Sequence, residues 1–108
     1  MIKVWDVDTG KEMMTVTGPT RWILSLAISA DGSLLAAGGG YVGKFGEVKI
    51  FDLATGKELA NLLGGHNEWV ECVAFSPDGR WLVSGGGFTR GAKGEIRLWE
   101  LAQVLGKR

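Results

Sequence analysis

The phrase "VWDVDTGKE" at residues 4–12 returns as "IFDLATGKE" at residues 50–58, and an altered third version, "LWELAQVLGKR", occupies residues 98–108. The "TGKE" of the first version recurs 46 residues later, and the aromatic-acidic pair of the second recurs 48 residues later. Self-similarity at a fixed period is the signature of a repeat architecture, in which neighbouring units bury a shared core. The repeat therefore determines the fold.

Within one period the sequence alternates apolar and polar residues and is rich in β-branched and aromatic types, which is typical of short strands. Asp-Gly pairs in "ADGS" and "PDGR" favour tight turns, and the glycines of "DTG" and "ATG" can adopt a positive φ. The only segment in which we expect a helix longer than one turn is the tail at 102–108. The predicted strands are residues 2–7, 12–16, 22–29, 34–37, 47–53, 58–63, 69–76, 81–84 and 95–101.

A period in the forties with four strands per unit resembles the WD-repeat β-propeller family. The resemblance covers essentially the whole chain and rests on "GHNEWVECVAFSPDGRWLVSGGG" and "GEIRLWE" between residues 65 and 100, which keep the family's motifs in order. It implies an all-β fold of four-stranded antiparallel blades, with strands a (innermost) to d (outermost). Residues 1–108 are then one two-blade unit, with repeats at about 18–64 and 65–108 after c and d strands at 2–17.

The resemblance also implies a buried network in each blade, formed by His before strand a, Ser or Thr in b, Asp in the b–c loop and Trp in c. In the second repeat His66, Ser84 and Trp99 match, whereas the loop contains no Asp. In the first repeat Ala37 and Phe51 occupy the Ser and Trp positions. We expect a partial network in one blade and none in the other.

Charge and cysteine content narrow the classes of function. The chain has 12 basic and 12 acidic residues and no run of five like charges, so neither nucleic acid nor a membrane surface is an expected partner. No apolar stretch approaches the ~18 residues of a membrane span. The single cysteine, Cys72, cannot form an intrachain disulfide, so a cytoplasmic location is expected.

Catalytic chemistry has little support in the sequence. His66 is the only histidine, and a base without a partnered nucleophile or metal ligands is a poor start for catalysis. Cys72, in an inner strand, is interpreted as a small packed hydrophobe. We therefore predict a protein that is not an enzyme, with no catalytic residues, no metal and no cofactor.

A candidate binding face comes from the loops. Both repeats place an aromatic directly after a GGG triplet and follow it with basic residues, and family geometry puts the b–c and d–a loops on one face of the propeller. Aromatic and arginine side chains often anchor interfaces, although these aromatics could instead pack on the strands below. The predicted face consists of Arg21, Trp22, Tyr41, Lys44, Glu68, Trp69, Phe88, Arg90 and Lys93.

Two blades cannot close a propeller, which needs about four to eight. We expect homo-oligomerisation, with residues 12–16 adding strand d beside residues 95–101 of the next copy in a head-to-tail trimer or tetramer. One duplicated strand c must then be displaced at each joint. The expected function is a non-enzymatic scaffold that presents the loop face to a protein or peptide. The alternative is a fragment, or a designed or duplicated module, whose only role is self-assembly.

Overall fold

The computed structural model describes residues 2–16, 22–40, 46–62, 69–86 and 94–106. Within these ranges the fold is all-β, as predicted, and no helix is long and apolar enough to cross a membrane. The strands are β1 (Ile2–Trp5), β2 (Glu12–Val16), β3 (Trp22–Ile28), β4 (Leu34–Gly40), β5 (Gly46–Asp52), β6 (Glu58–Asn61), β7 (Val70–Phe75), β8 (Trp81–Gly86) and β9 (Glu95–Glu100). A single helical turn, α1 (Leu101–Val104), follows β9.

The strands form three antiparallel sheets in which spatial order equals chain order. We call them the N-terminal hairpin (β1-β2), the four-stranded sheet (β3-β4-β5-β6) and the three-stranded sheet (β7-β8-β9). Each strand lies beside its sequence neighbour because short turns can join only antiparallel partners. The grouping of two, four and three strands agrees with the grouping that the sequence predicts.

The glycine-rich segments are longer strands than the sequence predicted. Residues 34–37 were the predicted extent of β4, but its pairing with β5 continues to Gly40. A Cβ on Gly38 would lie 2.8 Å from Val70 Cγ1 and 3.0 Å from Val73 Cγ1. Gly38 is therefore required at this position, because β7 of the next sheet approaches the β4 backbone too closely for a side chain.

The recurring phrase forms the turn that follows β1, β5 and β9. The amide of Gly56 donates a hydrogen bond to the carbonyl of Asp52 at 2.7 Å, and Gly10 makes the equivalent bond at 2.7 Å. The third version contains α1 before its glycine, Gly106. All three glycines have φ between +72° and +78°, which explains why the phrase keeps glycine there even when the rest changes.

The three sheets stack face to face around two apolar clusters. Because side chains alternate along a strand, β3, β4 and β5 contribute to both clusters, whereas β6 contributes only to the one shared with the three-stranded sheet. The cluster between the four-stranded and three-stranded sheets contains Leu34, Ala36, Val48, Ile50, Val70, Val73, Leu82 and Leu101. The cluster beneath the N-terminal hairpin contains Ile2, Leu35, Ala37 and Phe51, with Met14, Ile23 and Leu53 packed against it.

Candidate functional site

The N-terminal hairpin repeats the outer half of the four-stranded sheet. In both strand pairs the register shifts at the same point, before the aromatic residue of the first strand. Lys3 Nζ lies 3.1 Å from Glu12 Oε1, and Lys49 Nζ lies 3.1 Å from Glu58 Oε1. The hydrogen bond from Lys3 lowers the pKa of Glu12. The chain thus contains the same ion-paired strand pair twice.

The three-stranded sheet has the first strand of this pair without the second. β9 pairs with β8 at six consecutive positions, and no strand within the described ranges pairs with its other edge. Arg97 occupies the repeat position of Lys3 and Lys49, and its Nη2 lies 3.4 Å from Glu95 Oε2 on the same strand. The edge of β9 is therefore an open strand edge with a cation where the two complete pairs carry a lysine.

The face of the three-stranded sheet that points away from the rest of the chain is apolar. Cross-strand pairing brings five side chains together on it, which we call the outer face: Cys72, Ala74, Val83, Ile96 and Leu98. Ile96 is 73% exposed and Leu98 is 65% exposed. Their repeat equivalents in β5, Val48 and Ile50, are both 0% exposed because the three-stranded sheet covers them.

The opposite side of the stack has a matching opening. Leu26 and Ile28 of β3 are 48% and 57% exposed, although their repeat equivalents in β7 pack into the cluster between the sheets. An open groove of about 440 Å³ lies between these side chains and β1, which we call the β1–β3 groove. The N-terminal hairpin covers the part of the four-stranded sheet near β5, and the part near β3 stays open.

The contact between the four-stranded and three-stranded sheets shows how two neighbouring sheets of this chain pack. The β7 strand packs against β3 and β4, where Val70 and Val73 lie over Gly38. The amide of Val73 donates a hydrogen bond to Ser25 Oγ at 3.1 Å across the two sheets. The repeat equivalent of Ser25 is Cys72, which is exposed on the outer face. The outer face therefore has the positions of a second such contact.

Two of the three predicted network residues lie in the described part of the chain. Trp99 Nε1 donates a hydrogen bond to Ser84 Oγ at 2.8 Å, and Ser84 is buried. In the four-stranded sheet Ala37 and Phe51, at the same repeat positions, are packed in an apolar cluster. His66 lies outside the described residues, so its part in the network stays a prediction.

Most of the predicted binding face also lies outside the described residues: Arg21, Tyr41, Lys44, Glu68, Phe88, Arg90 and Lys93. Trp22 begins β3, and Trp69, which is half-buried, immediately precedes β7. The two tryptophans thus occupy the same end of the first strand in each sheet. The grouping of all nine residues stays a prediction, and in the described ranges no three His, Cys, Asp or Glu side chains are placed to hold a metal.

The outer face and the β1–β3 groove were not among the predicted site residues. The signal was present in the repeat itself, since "GEIRLWE" alternates apolar and polar residues as "GEVKIFD" does. That alternation marks a strand with a buried face, but it does not say whether the covering sheet belongs to the same chain.

The repeated register, the paired strand motif and the stacked antiparallel sheets agree with a comparison against known families. The model of the WD domain, G-beta repeat (WD40), matches residues 10–41 and 56–100, which together are most of the chain. WD40 domains typically mediate protein–protein interactions and are generally non-enzymatic scaffolds. On this match, supported by the two, four and three strand grouping, the chain belongs to the WD40 family.

Proposed function

We propose that this chain is a non-enzymatic scaffold that completes a propeller ring with copies of itself and presents a loop face to a protein or peptide. One observation carries the proposal. Ile96 and Leu98 are largely exposed, while Val48 and Ile50 at the same repeat positions are fully buried by a neighbouring sheet. Ile96 and Leu98 lack a neighbouring sheet like the one that covers Val48 and Ile50.

Burial of the outer face and of the β1–β3 groove would be energetically favourable. Full burial of an isoleucine or leucine side chain contributes about 1.5–3 kcal/mol, and soluble proteins rarely leave such patches uncovered. The outer face has the same residue pattern as the face of the four-stranded sheet that contacts β7. Leu26 and Ile28 in the β1–β3 groove stand at the repeat positions of the β7 side chains that face the four-stranded sheet. The two open surfaces are therefore complementary in the way that the contact inside the chain is.

The number of copies follows from the strands in each. We take residues 18–64 and 65–108 as two repeats, and residues 2–17 as a strand pair of the preceding blade. Copies joined head to tail form a ring with an even number of blades, so a trimer gives six and a tetramer gives eight, within the family's range. At each joint β2 serves as the outermost strand beside β9 of the next copy, and either β1 or β9 must be displaced.

The mass of the particle in solution tests this proposal. Light scattering on the 108-residue chain is expected to give three or four copies. Deletion of residues 1–7 should leave the ring intact because it removes only the duplicated strand, whereas deletion of residues 1–17 should open it by removing β2 as well. A stable monomer for the full chain, or dissociation after the shorter deletion alone, would contradict self-assembly.

The loop face has its own experiment. Peptides selected from a displayed library on the intact ring should lose binding when Tyr41 and Phe88 are both changed to alanine, while the mass of the particle stays the same. A ring that enriches no peptide would instead support the alternative function, a module whose only role is self-assembly.

A further inference from the structure

We infer that β1 is the strand displaced at each joint, and that Glu12 then exchanges its ion pair with Lys3 for one with Arg97 of the neighbouring copy. This inference rests on the proposed ring. It adds the strand that moves, the register in which β2 is received, and the charged residue that selects it.

The two duplicated strands are held with unequal strength. β9 pairs with β8 at six positions, and its Trp99 donates a hydrogen bond to Ser84. Directly after β9, the buried Leu101 donates its amide to the carbonyl of Arg80 at 2.9 Å. β1 has four residues and, among the described strands, pairs with β2 alone. The release of β1 therefore breaks fewer interactions than the release of β9.

Packing is conserved when β9 of a neighbouring copy takes the place of β1. Ile2 is buried against Leu35 and Phe51. By the repeat, Ile96 of the neighbouring copy would enter the site of Ile2, so one isoleucine replaces another. The gain comes from β7 and β8 of that copy, which would cover Leu26 in the β1–β3 groove, where no described strand lies now. Replacing β1 by β9 thus changes the free energy of packing little at the site of Ile2. The burial of Leu26 next to that site makes the exchange favourable.

Charge identifies β2 as the strand that the edge of β9 receives. In both complete pairs a lysine of the first strand lies 3.1 Å from the glutamate that begins the second. Arg97 stands at the lysine position on β9, and β2 begins with Glu12. In the register of the N-terminal hairpin, where Lys3 is opposite Thr15, Arg97 of one copy would be opposite Thr15 of the next. A guanidinium can bind a carboxylate in a bidentate manner, so it can replace the lysine.

Two substitutions of equal charge change should act in opposite directions. Lys3→Glu and Arg97→Glu each lower the net charge by two. Lys3→Glu places like charges on β1 and β2, favours release of β1 and should tighten association. Arg97→Glu places like charges across the joint and should weaken association by about three- to tenfold at each joint. Dilution series followed by light scattering or sedimentation measure both effects.

Charge reversal provides the rescue. Glu12→Lys alone places like charges both against Lys3 in the hairpin and against Arg97 at the joint, so it should change association less than Arg97→Glu does. Arg97→Glu combined with Glu12→Lys in one chain restores an attractive pair at every joint and should return association to at least the level of the unmodified chain. Lys57→Glu is the control for the change in net charge, because Lys57 is exposed in the turn between β5 and β6 and its substitution should change association little.

The outcomes separate this inference from the proposed function. If the unmodified chain assembles but Arg97→Glu has no effect, or if the double variant is not restored, the ring stands and the ion-pair exchange is wrong. If Lys3→Glu weakens association as Arg97→Glu does, β1 is not the displaced strand. If the unmodified chain is a monomer, both proposals fail.

Discussion

The four-stranded and three-stranded sheets follow one sequence plan but have different surroundings. Ile50 is fully buried, and its repeat equivalent Leu98 is largely exposed, although both stand in the third strand of a sheet with the same register to the second. The difference lies in the neighbour that each sheet has. In a repeat protein each unit buries its face against the next unit, so an exposed apolar face is a surface on which a further unit can pack.

Alanine substitution of Ile50 and of Leu98 should give the largest difference in the free energy of unfolding. We expect Ile50→Ala to lower the free energy of unfolding by about 2–5 kcal/mol, because it leaves a cavity between two sheets. Leu98→Ala should change the stability of the dilute, unassembled chain by less than about 0.5 kcal/mol. Urea unfolding at low protein concentration measures both values.

The same two variants test the assembly when the concentration is raised. If the proposed ring forms, Leu98→Ala should then lower the stability of the assembled chain and its tendency to associate, because a neighbouring copy would cover the outer face. An equal loss for Ile50→Ala and Leu98→Ala in the dilute chain would mean that the outer face is already covered within one copy.

The hydrogen bond between Trp99 and Ser84 gives the next largest expected effect on stability. Trp99→Phe and Ser84→Ala should each lower the free energy of unfolding by about 1–2 kcal/mol, because each removes one side of a hydrogen bond to a buried hydroxyl. The double variant, which has the Phe and Ala of the four-stranded sheet, should lose less than the sum of the two. Thermal unfolding of the four chains gives the coupling energy.

A coupling near zero would show that the hydrogen bond contributes little beyond packing. His66→Ala extends the experiment to the predicted third member of the network, and a loss of about 1–3 kcal/mol is expected if its side chain is buried and hydrogen-bonded. An unchanged melting temperature for that variant would remove His66 from the network.

Sequence reasoning predicted the strands well because their signals are local. Alternation and the Asp-Gly turns placed nine strands within a few residues of their observed bounds. The extension of β4 to Gly40 could not be predicted from these signals, since the requirement for glycine at Gly38 comes from Val70 of another sheet. Local sequence shows that a strand has an apolar face, whereas the tertiary contact decides how closely that face is approached.

The candidate site was predicted less completely for the same reason. The Trp99 and Ser84 pair followed from resemblance to a family, which carries tertiary information that periodicity lacks. The outer face has the same alternation as a buried sheet, so Leu98 could not be distinguished from Ile50 until the neighbours were known. The loop face lies mostly outside the described residues and stays a prediction.

The hydrogen bond between sheets provides a smaller test of the same comparison. Ser25→Ala should lower the free energy of unfolding by about 1 kcal/mol, because the amide of Val73 loses its acceptor. Cys72→Ala, at the equivalent position on the exposed outer face, should have an effect below about 0.5 kcal/mol in the dilute chain. Chemical unfolding compares the two. A loss below about 0.5 kcal/mol for Ser25→Ala as well would show that the Ser25 bond adds little to stability.

The smallest expected effects concern the Asp-Gly turns, where Asp31 and Asp78 are repeat equivalents. Oδ1 of Asp31 accepts hydrogen bonds from the hydroxyl of Ser29 at 2.7 Å and from the hydroxyl and amide of Ser33 at 2.7 and 2.9 Å. These bonds lower the pKa of Asp31 from 3.8 to about 2. The hydroxyl of Ser76, followed by the amide and charge of Arg80, lowers the pKa of Asp78.

The sign of the pH dependence follows from the lowered pKa of Asp31. Its stabilising contribution is complete above about pH 3.8, where the carboxyl is ionised in both the folded and the unfolded chain, and it is lost as the pH falls through about 2. Ser33→Ala should raise the pKa of Asp31 toward 3.8 and leave that of Asp78 unchanged. Added salt should raise the pKa of Asp78 more than that of Asp31, because only Asp78 is helped by a nearby charge. Carboxyl carbon chemical shifts followed from pH 1.5 to 6 measure both titrations. If the two carboxyls respond equally to Ser33→Ala and to salt, the two turns are electrostatically equivalent, and their sequence difference has no consequence for stability in acid.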